Sequence, residues 1–208
     1  MPEKRLQKDP YNIIITGVGG QGNVMASRVL SGMLMRRGYR ITIGETFGMS
    51  QRGGAVMSHI RVSEQARWSP QVPRGRADMV LGLEPVETIR VLRTYGNSAV
   101  KVLTNTRPIY PVGVITGELS YPSLREIRKT AQRFSAGAWF LDATEEAVKL
   151  GNPILANIVM VGALVGLGEL PVDREDFAAA IGSTLPPDKM PSNLQAFDVG
   201  VRKLACTG

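Results

Sequence analysis

"YNIIITGVGGQGNVMASRVL", residues 11–30, is the stretch on which the fold turns. Its first seven residues are a short β-branched apolar run, the pattern of a buried strand. Glycines follow at 17, 19, 20 and 22. Val24, Ser27, Leu30 and Leu34 then recur at helical spacing, and Gly38 marks the stop. The loop GVGGQG satisfies G-x-G-x-x-G at Gly17, Gly19 and Gly22, between a strand and a helix as the pattern requires. Glycine permits the tight turn and lets backbone N–H groups, Gly20 and Gln21 included, approach an anion at the helix N-terminus. The same loop also serves close strand–helix packing, so by itself it does not specify a dinucleotide.

Downstream, residues 39–45 read as a second strand. Residues 55–63 alternate, with Val56, Ile60 and Val62 on one face and Met57, His59 and Arg61 on the other. Residues 77–85 form a strand running into a helix that starts near Glu84 and Pro85, proline suiting a first turn. Residues 99–105 are another strand, and 107–117 a Pro/Gly-rich span. An amphipathic helix is expected over 121–134, a short strand over 138–143 and a short helix over TEEAVKLG. Helices close the chain over 154–167, 173–181 and 193–204, and 63–76 reads as loop. Strands alternating with helices imply an α/β fold: a Rossmann-like, mostly parallel sheet with helices on both faces and a helical C-terminal portion. No repeat or linker divides it, so residues 1–208 are expected to form a single domain.

One cysteine, Cys206, cannot make an internal disulfide, and the chain reads as intracellular and cytoplasmic. It also cannot supply the roughly four thiolates of an iron–sulfur cluster. With one histidine besides, no metal site is expected. The net charge is +7, but the arginines are dispersed and few aromatics lie among them, which favours a solvated basic surface over nucleic acid. The apolar run 153–167 is shorter than the roughly 18 residues of a membrane span and contains Asn157, so a buried helix is expected. Residues 1–10 are polar, with no apolar segment of a secretory signal.

A second polar, glycine-bearing stretch is FGMSQRGGAVMSHIR, residues 47–61. Gly53 and Gly54 let backbone pass close to another surface, and Ser50 and Gln51 supply adaptable hydrogen bonds. Arg52 can meet a carboxylate or phosphate with two parallel bonds, or form a structural ion pair. Glu45 stands where a dinucleotide fold places its ribose ligand, and can equally brace the 51–54 loop. His59 reads as a satisfied histidine inside the sheet or as a base. The two glycine loops are expected to meet on the C-terminal edge of the sheet, where open α/β folds bind ligands.

GVGGQG, FGMSQRGGAVMSHIR, PRGRADMVLGLEP and GNPILANIVMVGAL, in this order, resemble the small subunit of indolepyruvate ferredoxin oxidoreductase. More broadly they resemble the γ domain of the pyruvate/2-oxoacid:ferredoxin oxidoreductases. Asn23 stands where an aliphatic residue is commoner. The resemblance implies a subunit of a complex that decarboxylates an aryl 2-oxoacid on thiamine diphosphate, passes electrons through iron–sulfur clusters to ferredoxin and forms an acyl-CoA. Those cofactors would lie mainly on a larger partner subunit, leaving this chain inactive alone. It also implies a docking patch near residues 47–55 and a tendency to self-associate when isolated. The alternatives from the residues themselves are a free-standing NAD(P)-binding oxidoreductase and a basic nucleic-acid-binding module.

Overall fold

The computed structural model describes residues 6–48 and 54–205. Its six-stranded sheet has the order β2-β3-β1-β4-β5-β6. The strands are β1 (Tyr11–Val18), β2 (Arg40–Phe47), β3 (Ala55–Ser63), β4 (Met79–Gly82), β5 (Lys101–Asn105) and β6 (Gly137–Leu141). β1, β2, β4, β5 and β6 run in one direction, and β3 alone runs opposite to them. The chain leaves β1 through helix α1 (Asn23–Arg36), skips a place to lay down β2, and turns back as β3 into the gap. Hydrophobic alternation is the same for parallel and antiparallel pairing, so sequence reading found the strand but not this insertion.

β1 has neighbours on both sides and helices on both faces, so all eight of its residues are buried. Ile13 and Ile15 face one core and Ile14 the other, as the two-residue period of a strand dictates. The first core lies under α1, α6 (Ala156–Gly166), α7 (Arg174–Gly182) and α8 (Met190–Ala205). Helix α6, apolar all round, is correspondingly buried and not membrane-spanning. Among the described residues no helix is long and apolar enough to cross a membrane. Phe177 of α7 stacks on Phe197 of α8, ring centroids 4.1 Å apart. The second core lies under α2 (Pro85–Tyr95) and α4 (Leu124–Arg133), through Val91, Leu92, Tyr95 and Ala131. Between β5 and α4 the Pro/Gly-rich span contains one short helix, α3 (Val112–Ile115), with no buried residue. α5 (Ala143–Lys149) follows β6.

Helix ends follow their local chemistry. Glu84 caps α2 by accepting from the Glu87 N–H, with Pro85 in the first turn. Ser123 and Glu126 form a capping box on α4, which buries only Ile127 and Ala131. Gly38, at φ 87°, ends the first helical segment where expected.

Candidate functional site

The carboxyl ends of β1, β4, β5 and β6 share one edge of the sheet with the start of β3. There the glycine loop meets the start of β3: the Gly19 N–H donates to the Gly54 carbonyl at 2.9 Å. Gly17 ends β1 opposite Val56. Gln21 folds back over the loop. Its Oε1 accepts from the Val18 N–H at 2.9 Å, and its Nε2 donates to the Leu83 carbonyl at 2.8 Å. Gly22 caps α1 at φ 79°, a left-handed conformation that favours glycine. A Cβ there would strike the Asn157 side chain, whose Nδ2 donates to the Gly22 carbonyl at 3.2 Å. Gly20 faces open space at φ 97°.

The Leu83 carbonyl also accepts from Asn105 Nδ2 at 3.2 Å. The same amide donates to the Thr144 hydroxyl at 3.0 Å, and its Oδ1 accepts from the Ala143 N–H at 3.1 Å. Side-chain amides thus tie the ends of β1, β4, β5 and the start of α5 into one rigid edge. Between them lies a cleft of about 350 Å³ lined by Gln21, Asn105, Arg107, Ile109, Ile154 and Asn157. Its amides are committed to backbone, whereas the Arg107 guanidinium makes no ion pair or hydrogen bond among the described residues.

Glu84, at the end of β4, is buried and fully engaged. One carboxylate oxygen accepts from the Glu87 N–H at 2.9 Å. The other accepts from the Tyr121 hydroxyl and, at 3.4 Å, from the Ile109 N–H. Burial, reinforced by that hydrogen bond, pushes the Tyr121 phenol well above its ordinary pKa, so it stays a donor. Glu84 therefore pins the 109–121 segment to the sheet.

Two expected site residues stand apart from the glycine loop. Glu45 is exposed on β2, and β3 lies between β2 and β1. That sets Glu45 about 10 Å from β1, at roughly 4.8 Å per strand, too far to share a ribose with the glycine loop. His59 lies mid-strand, buried between Ile14 and Gly44 of the flanking strands. Its Nδ1 accepts from the Val72 N–H at 3.3 Å, and its ring stands edge-on to Tyr95 at 5.2 Å. Its place inside the sheet sets it apart from the edge. Burial lowers its pKa, which keeps the ring neutral. Ser50, Gln51, Arg52 and Gly53 lie outside the described residues.

The docking patch expected near 47–55 is only one part of the exposed apolar surface. Phe47 is 62% exposed, and Tyr110, Val112, Ile115, Leu119 and Ile154 are exposed as well. Sequence reading passed over these residues, together with Glu84, Tyr121, Asn105 and Arg107. The available signal was an acid placed between a strand end and a proline-led helix, on the edge where α/β folds bind.

Comparison with known proteins gives a consistent answer. The family model for pyruvate ferredoxin/flavodoxin oxidoreductase matches residues 12–203. Indolepyruvate oxidoreductase subunit IorB from Pyrococcus horikoshii is 39% identical over 193 residues, 92% of this chain and 95% of that one. The γ subunit of keto/oxoacid ferredoxin oxidoreductase from Geobacter sulfurreducens superposes with a TM-score of 0.68 at 22% identity, covering 94% of this chain and 99% of the other. The 2-oxoglutarate:ferredoxin oxidoreductase of Magnetococcus marinus, solved with 2-oxoglutarate, coenzyme A and succinyl-CoA bound, superposes with a TM-score of 0.72 at 17% identity. It covers 97% of this chain, which spans 32% of that longer one.

Proposed function

The chain belongs to the pyruvate ferredoxin/flavodoxin oxidoreductase family as a subunit of a 2-oxoacid:ferredoxin oxidoreductase, and from that premise we propose that its complex acts on an aryl 2-oxoacid such as indolepyruvate. The observation that carries the proposal is the 39% identity to an indolepyruvate oxidoreductase subunit over nearly the full length of both chains. The complex would oxidatively decarboxylate the 2-oxoacid, pass the electrons to ferredoxin and release an acyl-CoA, in the cytoplasm.

The residues present decide which groups this chain can hold. An iron–sulfur cluster does not fit: no group of three or more His, Cys, Asp or Glu suited to a metal exists among the described residues, and Cys206 is the lone thiol. No thiamine-binding motif stands in the sequence either. On this reading both groups lie on the larger subunit, and this chain is inactive alone. Coenzyme A fits in part, since the cleft offers Arg107, whose planar fork matches a phosphate. Bound there, coenzyme A would supply the thiol that takes up the acyl group. The chain's own part is to orient and shield: Gln21 and Asn105 hold the edge rigid, Arg107 takes an anion, and Ile109 and Ile154 exclude water.

A free-standing NAD(P) enzyme is the weaker reading. Its ribose ligand, Glu45, lies two strands from β1, and three N–H groups of the glycine loop, those of Val18, Gly19 and Gln21, are already bonded within the protein. The test is viologen-dye reduction with indolepyruvate, thiamine diphosphate and CoA, first by this chain, then after adding the large subunit. Turnover is expected only in the mixture, and faster with indolepyruvate than with pyruvate or 2-oxoglutarate. Turnover by the lone chain would refute the subunit reading, and a preference for pyruvate would refute the substrate.

A further inference from the structure

We infer that the segment 109–119, with Ile154 across the cleft, is the surface on which the thiamine-diphosphate-bearing subunit docks, and that the docking face of that subunit is apolar at its centre and acidic at its rim. The inference rests on the functional reading above and adds which face of this chain makes the complex.

The first ground is area. Val112, Ile115 and Ile154 are 75%, 73% and 74% exposed. Ile109, which lines the cleft with Ile154, Tyr110 next to it in the chain, and Leu119, whose N–H is bonded to Gly113 of α3, are exposed as well. At about 200 Å² for each fully exposed large side chain, these six present on the order of 700 Å². That exceeds the patch a typical monomer leaves open, roughly 300–600 Å², and approaches the roughly 800 Å² per partner of a stable interface.

The second ground is that the surface is braced. The Tyr121 hydroxyl donates to buried Glu84, and the Tyr110 ring stands edge-on to Tyr121 at 5.1 Å. The Leu119 N–H donates to the Gly113 carbonyl at 2.8 Å, which closes the segment around α3. Apolar side chains held outward on a fixed backbone bind with little ordering cost.

The third ground is charge, and it selects the occupant. Arg107 lines the cleft with Ile109 and Ile154, and Arg125, Arg128 and Lys129 share a surface depression with Leu124 at the start of α4. None of these four cations has an ion pair among the described residues. The carboxylates between 107 and 129 are Glu118 and Glu126, and Glu126 is held in the capping box by Ser123. A second copy of the chain brings the same unpaired cations and no further carboxylate from this span, so it offers them no partner. A different chain with acidic side chains does.

The test is sedimentation velocity of the full chain mixed with the large subunit. Val112→Asp combined with Ile115→Asp should leave the melting temperature of the free chain unchanged, because both side chains are exposed, and raise the dissociation constant by about 100-fold or more. Phe47→Asp should change it by less than about 3-fold. Arg125→Glu with Lys129→Glu should weaken binding about 10-fold and flatten its salt dependence. Assembly of the Val112/Ile115 variant as tightly as wild type would overturn the inference. So would a wild-type chain that dimerises alone and is split by Ile115→Asp, since the occupant would then be a second copy. Failure of the wild-type pair to associate would instead overturn the functional reading on which the inference stands.

Discussion

Helix α6 and the segment around α3 are both rich in valine, isoleucine and leucine, yet the molecule treats them in opposite ways. α6 is sealed between α1 and α8, with nearly every residue buried. α3 buries none. Ion pairing divides along the same line. On the α7–α8 side Arg37 pairs with Asp173 and Asp176, Arg174 with Asp198, and Lys203 with Glu146. On the α4 side Arg125 and Lys129 have no ion pair among the described residues. One region completes itself within the chain, and the other is complementary to something outside it.

The comparison breaks most sharply at the α6–α8 crossing. A Cβ on Gly162 would strike the Phe197 carbonyl, and one on Gly200 the Val159 carbonyl. Backbone against backbone leaves no flexible atom to move aside. Gly162→Val should cost about 3 kcal/mol or more in urea unfolding, whereas Val112→Ala should stay within about 0.5 kcal/mol. A similar cost at both sites would erase the distinction between them.

Glu84→Ala should come next, at about 2–3 kcal/mol, because it removes the α2 cap and leaves the Tyr121 hydroxyl without its acceptor. Hydrogen exchange should quicken in residues 109–121 and stay slow in α6. Exchange that quickens equally in both would show that Glu84 supports the whole fold and not this segment.

His59 sets a pH dependence. Its folded pKa lies below the ordinary 6.5, so below that pH the unfolded chain binds the additional proton. The stability from this group is full above pH 6.5 and declines as pH falls through and below it, by at most about 1.4 kcal/mol per pH unit. Unfolding at pH 7.5 and 5.5 should show this for wild type, with a smaller slope in His59→Asn. Equal slopes would mean that burial leaves the His59 pKa where it is in the unfolded chain.

The smallest expected effect is at Arg107. Arg107→Ala should leave stability within about 0.5 kcal/mol and raise the KM for CoA several-fold in the assembled complex, with the KM for the 2-oxoacid unchanged. A change in the 2-oxoacid KM alone would place the substrate, not CoA, beside this arginine.

Much of this organisation was legible from the chain. The strand–loop–helix of residues 11–36, the burial of α6 and the Glu84–Pro85 helix start follow from local spacing and backbone preferences. That the glycine loop and the start of β3 share one sheet edge, where the Gly19 N–H meets the Gly54 carbonyl, follows from placing both at strand ends. Glu45 shows where such reasoning stops. Its distance along the sequence suited a ribose ligand, but that distance is blind to a strand inserted between β1 and β2. Asn105 ends a predicted strand, Arg107 opens the Pro/Gly-rich span and Tyr121 starts a predicted helix, and they gain meaning only from Leu83 and Glu84, more than twenty residues earlier in the chain.

The sequence by itself determined the α/β class, the family, and the lack of thiolates for a cluster, because periodicity, motif order and composition are properties of the chain read in one dimension. The tertiary structure alone decided that β3 enters antiparallel, that Glu84 braces a distant segment, and which apolar residues stay outside. Each of these depends on which strands become neighbours. Hydrogen-bond partners and solvent exposure are set by proximity across the sheet, where a single inserted strand moves a residue by nearly 5 Å without altering its place in the chain.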